Sequence, residues 1–388
     1  MTSGGQRPGD DSLIDTALLF LRLGTTAFGG PAAHIALMED EVVRRRAWLR
    51  RDEFLDYLGA TNFIPGPNST ELAIHIGMAR HGWPGLLLAG SCFILPSTLI
   101  VGLCAWAYVR YGTLPQVAGL FHGITPVVIA IIVLALWSLG RSAVKSAGLG
   151  VLGLVALGAI MAGAHELAVL FAAGLVALVA AGVSRWQRGL PVVALPALWA
   201  STSVAATAAG IGPGVSLSLW SVFTVFARIG SVLFGSGYVL IAFLRADLVE
   251  RLGWISERQL LDAVAVGQVT PGPLFTTATF VGYLVAGVPG AVAATVGIFL
   301  PAFVFVALSG PLVPRLRRSP LAGKVLDAVN VASLAMMAAV TLQLGAATLR
   351  APVSVALAGL SLALLARYSI NPTWLVALGA AVGWLVGP

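Results

Sequence analysis

The sequence Pro-Gly-Pro-Asn-Ser-Thr at residues 65–70 decides the fold of this chain, and Pro-Gly-Pro-Leu-Phe-Thr at residues 271–276 repeats it. Both motifs lie in apolar sequence, where a helix would otherwise continue. The first proline disfavours a helical conformation in the residue before it, and the second is suited to the first turn of a helix. Each motif therefore predicts a helix break followed at once by a new helix N-terminus.

The composition around these motifs is that of a membrane protein. Hydrophobic residues make up 58% of the chain, charged residues 10%, and the mean hydropathy is +0.93. Soluble domains carry about 25% charged residues, and a helix needs roughly 20 apolar residues to cross a bilayer. We therefore predict an all-α polytopic protein that crosses the lipid bilayer of the cell inner membrane several times. The net charge of +7 lies mainly in short loops, as the positive-inside rule expects, and predicts no nucleic-acid partner.

The chain also contains an internal repeat. A shift of 206 residues places Arg22 on Arg228, Asp56 on Asp262, and the first Pro-Gly-Pro on the second. Glycines and prolines keep this register, with one deletion, over about 80 positions. We therefore predict two repeats, at residues 13–185 and 217–388, joined by a linker at residues 186–216.

Each repeat is expected to hold about five spanning helices and two short helices that flank the Pro-Gly-Pro motif. The short helices form either a re-entrant hairpin, which gives ten crossings in all, or one broken crossing, which gives thirteen. The arginine-rich loop at residues 44–51 is placed in the cytoplasm, and the other Lys and Arg residues then favour ten crossings. An odd number of crossings per repeat inverts the second repeat relative to the first. The predicted long spans lie near residues 84–109, 117–139, 147–163, 167–183, 289–312, 325–344, 352–366 and 373–386.

Two helix starts inside a membrane predict an anion site. A helix N-terminus leaves backbone N–H groups unpaired and carries about half a positive charge. Inverted repeats whose broken helices meet near the bilayer midplane are typical of secondary transporters. The alternatives are that the prolines only kink helices, the hydroxyls cap them, and the amides stabilise the breaks. The arginines could instead form structural ion pairs, for example with Asp15 or Glu71, or snorkel to the membrane surface. The predicted substrate-binding residues are Arg22, Asn62, Gly66, Asn68, Ser69, Thr70, Arg228, Gln268, Gly272, Thr276 and Thr277.

Acidic residues near the breaks are candidates for coupling transport to an ion gradient. They are Glu71, Asp56 and Asp262. Thr277 occupies the position equivalent to Glu71, and this asymmetry favours Glu71 as a proton-coupling site, although it could equally cap the helix or pair with Arg22.

Residues predicted to break helices or to act as gating hinges, or simply to let helices pack closely, are Phe28, Gly29, Gly30, Pro65, Pro67, Phe234, Gly235, Gly237, Pro271 and Pro273.

Motifs typical of enzymes are missing from the sequence. It has no Walker A motif, no clustered His/Cys metal signature and no G-x-S-x-G elbow. We therefore predict no enzyme activity, no catalytic residue, no metal and no cofactor. Two other functions stay open: a membrane enzyme that holds a lipid or isoprenoid phosphate at the same helix starts, and a passive anion channel. A coupling ion (proton or counter-anion) and a homodimer are further partners left open.

Three features together resemble the chromate ion transporter family in its two-domain, long-chain form. They are Phe-Gly-Gly at residues 28–30 with Phe-Gly-Ser-Gly at 234–237, the charged loop that ends in Trp48, and the doubled Pro-Gly-Pro. The resemblance covers essentially the whole chain. It implies export of chromate from the cytoplasm, driven by an ion gradient and conferring chromate resistance, with sulfate as a close analogue. The residues alone predict only an oxyanion secondary transporter.

Overall fold

A computed structural model describes residues 12–27, 30–112, 115–186, 218–234, 237–309, 320–368 and 372–386. Within these ranges the chain forms 14 α-helices, two π-helical segments and a 3₁₀ turn, and it contains no strand. The α-helices are α1 Leu13–Thr26, α2 Gly30–Glu39, α3 Arg51–Thr61, α4 Asn68–Tyr111, α5 Pro115–Ala143, α6 Ala147–Met161, α7 Glu166–Trp186, α8 Leu219–Val232, α9 Val239–Leu244, α10 Glu257–Val269, α11 Thr277–Ser309, α12 Pro320–Thr348, α13 Pro352–Tyr368 and α14 Pro372–Val386. The π-helical segments are Asp40–Arg45 and Arg245–Arg251, and the 3₁₀ turn is Leu274–Thr276.

Four of the helices are long and apolar enough to cross a membrane: α4, α5, α11 and α12. Five shorter apolar helices accompany them, in α6, α7, α8, α13 and α14. Large apolar side chains point outward from several of these helices, including Leu99, Leu154 and Val288. Exposed apolar surface of this extent suits contact with lipid. The prediction of an all-α, multi-pass membrane protein is confirmed.

The helix α4 consists of two antiparallel arms. The backbone leaves the helical conformation at His81 and Gly82, where Gly82 has φ +60°, a value that favours glycine. A Cβ on Gly77 would overlap the carbonyl of Gly85, although residues eight apart lie about 12 Å apart in a straight helix. The chain therefore reverses at Gly82, between an arm at residues 68–80 (α4a) and an arm at residues 83–111 (α4b).

The same reversal occurs in α11. Ala286 and Gly287 interrupt the helix, with φ +61° at Gly287, and a Cβ on Gly282 would overlap the carbonyl of Gly290. The arms are residues 277–285 (α11a) and 288–309 (α11b). The sequence pattern predicted the start of each second arm near its proline, at residues 84 and 289, but it did not predict a tight reversal.

We expect Gly85→Ala to destabilise the protein by about 1–3 kcal/mol, because the new methyl group would overlap the backbone of Gly77. Thermal unfolding in detergent measures this effect. Gly158→Ala in α6 is the matched control, since a Cβ there meets no atom within 4 Å. Equal melting temperatures for the two variants would contradict the close packing of the arms of α4.

The Pro-Gly-Pro motifs lie at the tips of two further hairpins. The rings of Tyr57 and His75, nine residues before and after Gly66, stack with centroids 5.6 Å apart. In a continuous helix the two residues would be about 27 Å apart, so α3 and α4a run antiparallel. In the second half a Cβ on Gly267 would overlap the hydroxyl of Thr277, which joins α10 to α11a in the same way. Hairpins are the geometry on which the ten-crossing topology depends; the crossing number and the inversion of the second half stay predictions.

Helices from the two halves of the sequence pack against each other. Helix α4 packs on α11, α5 packs on α13 and α14, and α12 packs on α6 and α7. At the contact of α5 with α14, Gly123 lies against the backbone of Gly379 and Gly383, a close approach that small residues permit in membranes. Because each half covers helices of the other, the described helices form one body. Residues 187–217, most of the predicted linker, lie outside the described residues.

Candidate functional site

A cavity of about 580 Å³ lies between the two Pro-Gly-Pro hairpins. Pro67, Asn68 and Ser69 line it from the first tip, and residues 273–275 line it from the second. Its volume falls within the roughly 300–1,000 Å³ that is usual for small-ligand sites. The structure thus brings both predicted helix starts to the wall of one cavity.

Each hairpin tip is held by the opposite half of the chain. The N–H of Gly66 donates to the carbonyl of Leu233, 2.8 Å away, at the end of α8. The N–H of Gly272 donates to the carbonyl of Ala27, 3.0 Å away, at the end of α1. Both glycines have positive φ, +139° for Gly66 and +93° for Gly272. These reciprocal bonds fix where the two helix starts lie.

The first hairpin supplies a polar wall of the cavity. The Asn68 amide donates to the Asn62 side-chain oxygen over 3.3 Å. The Ser69 hydroxyl lies 3.4 Å from Nδ1 of His34, whose Nε2 lies 3.0 Å from the carbonyl of Ala27. In the tautomer with the proton on Nε2, His34 donates to that carbonyl and accepts from Ser69. Of the predicted ligands in the first half, Asn62, Asn68 and Ser69 line the cavity.

Helix α12 and the loop after α5 supply a second polar wall, which sequence reasoning missed. The ammonium group of Lys145 donates to the carboxylate of Asp327 over 2.7 Å, and both residues line the cavity. Asn330 and Ser333 follow at three-residue intervals and also line it. Among the described residues, the buried Asn330 Oδ1 and Ser333 Oγ have no hydrogen-bond partner. Buried polar atoms of this kind normally require a partner such as water or a ligand.

A sequence signal for this wall was present. Asp327, Asn330 and Ser333 all fall within the predicted apolar span at residues 325–344. Polar and ionisable residues inside spans are costly in lipid and usually face a bundle interior or a cavity. Lys145 gave no such signal, because it sits in a short loop where basic residues are expected from topology alone.

The second hairpin presents a mainly apolar wall. Leu274 and Phe275 stand where the first hairpin has Asn68 and Ser69. The Thr276 hydroxyl donates to the carbonyl of Pro273 over 2.8 Å and lies 2.9 Å from the Ser97 hydroxyl. The Thr277 hydroxyl donates to the carbonyl of Leu274 over 2.8 Å. Both threonines are buried and do not line the cavity, and the same holds for Thr70, the counterpart of Thr276.

The two predicted arginine ligands also lie outside the cavity. A guanidinium nitrogen of Arg22 is 3.6 Å from the Glu41 carboxylate, and one of Arg228 is 2.7 Å from the Asp247 carboxylate. Glu41 and Asp247 are themselves related by the 206-residue shift. Among the alternatives that the sequence left open, the geometry matches structural ion pairs, although the partner of Arg22 is neither Asp15 nor Glu71. Among the described residues, the basic side chain at the cavity wall is Lys145.

The remaining predicted ligands and coupling residues are dispersed. Gln268 does not line the cavity. Asp56 is exposed on α3. Asp262 is buried and accepts a hydrogen bond from the Tyr108 hydroxyl over 2.7 Å. Glu71 is fully buried, and its carboxyl group lies beside Gly66.

The predicted hinge residues fall at ends and tips. Gly30 begins α2, and Phe234 follows α8. Gly237, Pro67 and Pro273 all line the cavity. The first proline of each motif, Pro65 or Pro271, is buried. The structure does not describe Phe28, Gly29 and Gly235.

A family model described as chromate transporter matches the chain twice, over residues 14–186 and 220–384. The chromate transport protein of Cupriavidus metallidurans is 32% identical over 378 residues, which cover 97% of this chain and 93% of that protein. The chromate transport protein of Pseudomonas aeruginosa is 32% identical over 380 residues, covering 95% and 91%. A probable chromate transport protein of Synechococcus elongatus is 31% identical over 345 residues, covering 86% and 85%. No solved structure matches the chain.

Proposed function

Because the chain belongs to the chromate transporter family, a family of transporters and not of enzymes, we propose that it is a secondary active transporter. In this proposal it exports chromate, or the related oxyanion sulfate, across the cytoplasmic membrane by alternating access. The observation that carries the proposal is that both hairpin tips line the same cavity. A tetrahedral oxyanion needs hydrogen-bond donors and positive charge, and both are present on the cavity wall.

The donors come from the start of α4a and from the loop after α5. Asn68 and Ser69 offer an amide and a hydroxyl at the cavity, and the first turn of α4a adds unpaired backbone N–H groups and the positive end of the helix dipole. Lys145 supplies a full positive charge, which in this conformation is neutralised by Asp327 at 2.7 Å. An arriving dianion competes with Asp327 for the ammonium group. Lys145 is therefore paired with Asp327 when the site is empty and with the oxyanion when the site is loaded.

The proposed direction of transport is supported by where the cavity meets the surface. Lys145 lines the cavity and its side chain is 61% exposed, so the cavity reaches the surface at the loop between α5 and α6. The predicted topology places this loop in the cytoplasm. With that orientation the cavity is accessible from the cytoplasm, as an exporter requires when it loads its substrate. Movement of the hairpin tips would then expose the site to the other side.

We expect chromate to raise the melting temperature of the purified full-length protein, and Lys145→Gln to weaken chromate binding at least tenfold. A hydrogen bond to a charged group contributes about 1.5–3 kcal/mol, and about 1.4 kcal/mol corresponds to a tenfold change in affinity. Thermal unfolding is measured against concentration series of chromate, sulfate, molybdate and phosphate. The ranking of these oxyanions also gives the preference of the site.

The matched control is Arg141→Gln, since Arg141 lies near the same end of α5 but does not line the cavity. It is expected to bind chromate like the wild type. A protein that no oxyanion stabilises would overturn the proposed site, and equal weakening by both variants would remove Lys145 from it. Chromate accumulation against its gradient in inverted membrane vesicles then separates a carrier from a channel, because a channel cannot accumulate its ion.

A further inference from the structure

The two hairpin tips satisfy their buried polar groups very differently. At the second tip, Thr276 bonds to the carbonyl of Pro273 and contacts the hydroxyl of Ser97, and Thr277 bonds to the carbonyl of Leu274. All of these groups are buried. Each threonine hydroxyl of the second tip therefore has a partner within the protein.

The first tip carries unpaired polar atoms at the equivalent positions. Ala302 stands where Ser97 does in the other half, and the Thr70 Oγ1 has no hydrogen-bond partner among the described residues. Next to it, Glu71 is 0% exposed. Neither of its carboxyl oxygens has a hydrogen-bond partner among the described residues. One turn further along α4a, Nε2 of the buried His75 is also unpaired within the described part of the chain.

No described cation is positioned to neutralise a charge on Glu71. Arg80, the basic residue of α4a, stacks over Trp48 at 5.1 Å. On the helices packed against α4, Arg22 of α1 pairs with Glu41, and Asp262 of α10 with Tyr108. His34 of α2 contacts Ser69, Tyr57 of α3 stacks on His75, and the titratable side chain of α11 is that of Tyr283. Asp15 of α1 is bonded to Ser12.

An ionised carboxylate that is buried without a partner is strongly disfavoured. The surroundings of Glu71 therefore suit the neutral acid, with the proton on the carboxyl group. Glu71 also lies in the first turn of α4a, the same helix start that presents Asn68 and Ser69 to the cavity. A negative charge there would offset the positive end of the helix and repel a dianion.

We propose that Glu71 is a proton-binding site that sets the affinity of the cavity for its oxyanion. The protonated carboxyl group permits oxyanion binding at the start of α4a, and the ionised carboxylate opposes it. By linkage, a bound oxyanion in turn holds the proton on Glu71. The second tip, with Thr277 in place of Glu71, takes no part in this linkage. The inference rests on the proposed function and makes the proton on Glu71 a regulator of oxyanion affinity.

The test measures chromate affinity of the purified full-length protein as a function of pH, from about pH 7.5 to pH 10, where chromate itself stays a dianion. Once Glu71 ionises, the wild type is expected to lose affinity by up to tenfold per pH unit, because one proton is linked to binding. Glu71→Gln keeps the shape of the neutral acid and cannot ionise, so its chromate affinity is expected not to show this fall with rising pH. At the lower end of the range it should bind at least as tightly as the wild type.

Asp52→Asn is the matched control, because it removes an exposed carboxylate on α3, the other arm of the same hairpin. It is expected to keep the pH dependence of the wild type. A wild type whose affinity does not change with pH, or a Glu71→Gln variant with the same slope as the wild type, would overturn the inference. Either result would leave the proposed function intact, whereas a protein that binds no chromate at any pH would remove the proposed function itself. The melting temperature of Glu71→Gln without ligand shows that the variant is folded.

Discussion

Gly66→Ala and Gly272→Ala are each expected to lower chromate transport about a hundredfold, because displacement of a binding group by about 1 Å can cost that much. Both glycines have φ values in a region that other residues rarely adopt. A Cβ on Gly66 would overlap the Glu71 carboxyl group, and a Cβ on Gly272 would lie 2.7 Å from the Cβ of Ser97. Either variant must move its tip, and both tips line the cavity.

Transport in inverted membrane vesicles, compared at equal amounts of folded protein, measures this effect. Gly253→Ala is the control, since Gly253 also has a positive φ, +61°, but a Cβ there meets no atom within 4 Å. It carries backbone strain of about 1–2 kcal/mol without a steric overlap, and we expect it to transport normally. Normal transport by folded Gly66→Ala would mean that the position of the first tip does not matter to the site.

These tips are also the part of the fold that local sequence predicts best. Two prolines around a glycine restrict the backbone whatever surrounds them, so the break at residues 65–67 and the new helix at Asn68 follow from the motif itself. The repeat then locates the second break without further information. The reversals at Gly82 and Gly287 were not predicted, because a glycine before a helix does not by itself distinguish a kink from a complete turn.

The polar groups of the candidate site were harder to predict, because their partners come from distant sequence. Lys145 meets Asp327 across 182 positions, and nothing local to either residue indicates the other. Thr276 looked like a ligand from its place in a helix start, but its hydroxyl is bonded to Pro273 and contacts Ser97. A helix start indicates where donors are available, and tertiary packing decides which of them face the cavity.

The arginines show the same limit in another form. Arg22 and Arg228 occupy equivalent places in apolar helices, and this pattern correctly indicates that each needs a partner. It does not indicate whether the partner is a substrate or a side chain. The answer lies in Glu41 and Asp247, which approach from the π-helical segments that follow α2 and α9.

Arg228→Met is expected to destabilise the protein by about 2–3 kcal/mol, because it removes one ion-pair partner from the largely buried Asp247 carboxylate. Arg228 and Asp247 are 2.7 Å apart, with side chains only 16% and 17% exposed. Arg22→Met is the matched control, because the equivalent pair is 3.6 Å apart and Arg22 is 62% exposed. An exposed pair of this kind contributes about 0–1 kcal/mol. Thermal unfolding of the two variants measures the difference.

The double variant Arg228→Met/Asp247→Met separates a structural role from substrate binding. If Arg228 serves only to neutralise Asp247, removing both charges should restore much of the stability and the chromate transport that Arg228→Met loses. Arg251, which also lies 3.0 Å from Asp247, is 26% exposed and can reach water when that carboxylate is gone. If Arg228 instead binds the oxyanion directly, stability should recover while transport stays low. That result would return Arg228 to the substrate site and require the cavity to extend to α8 in another conformation.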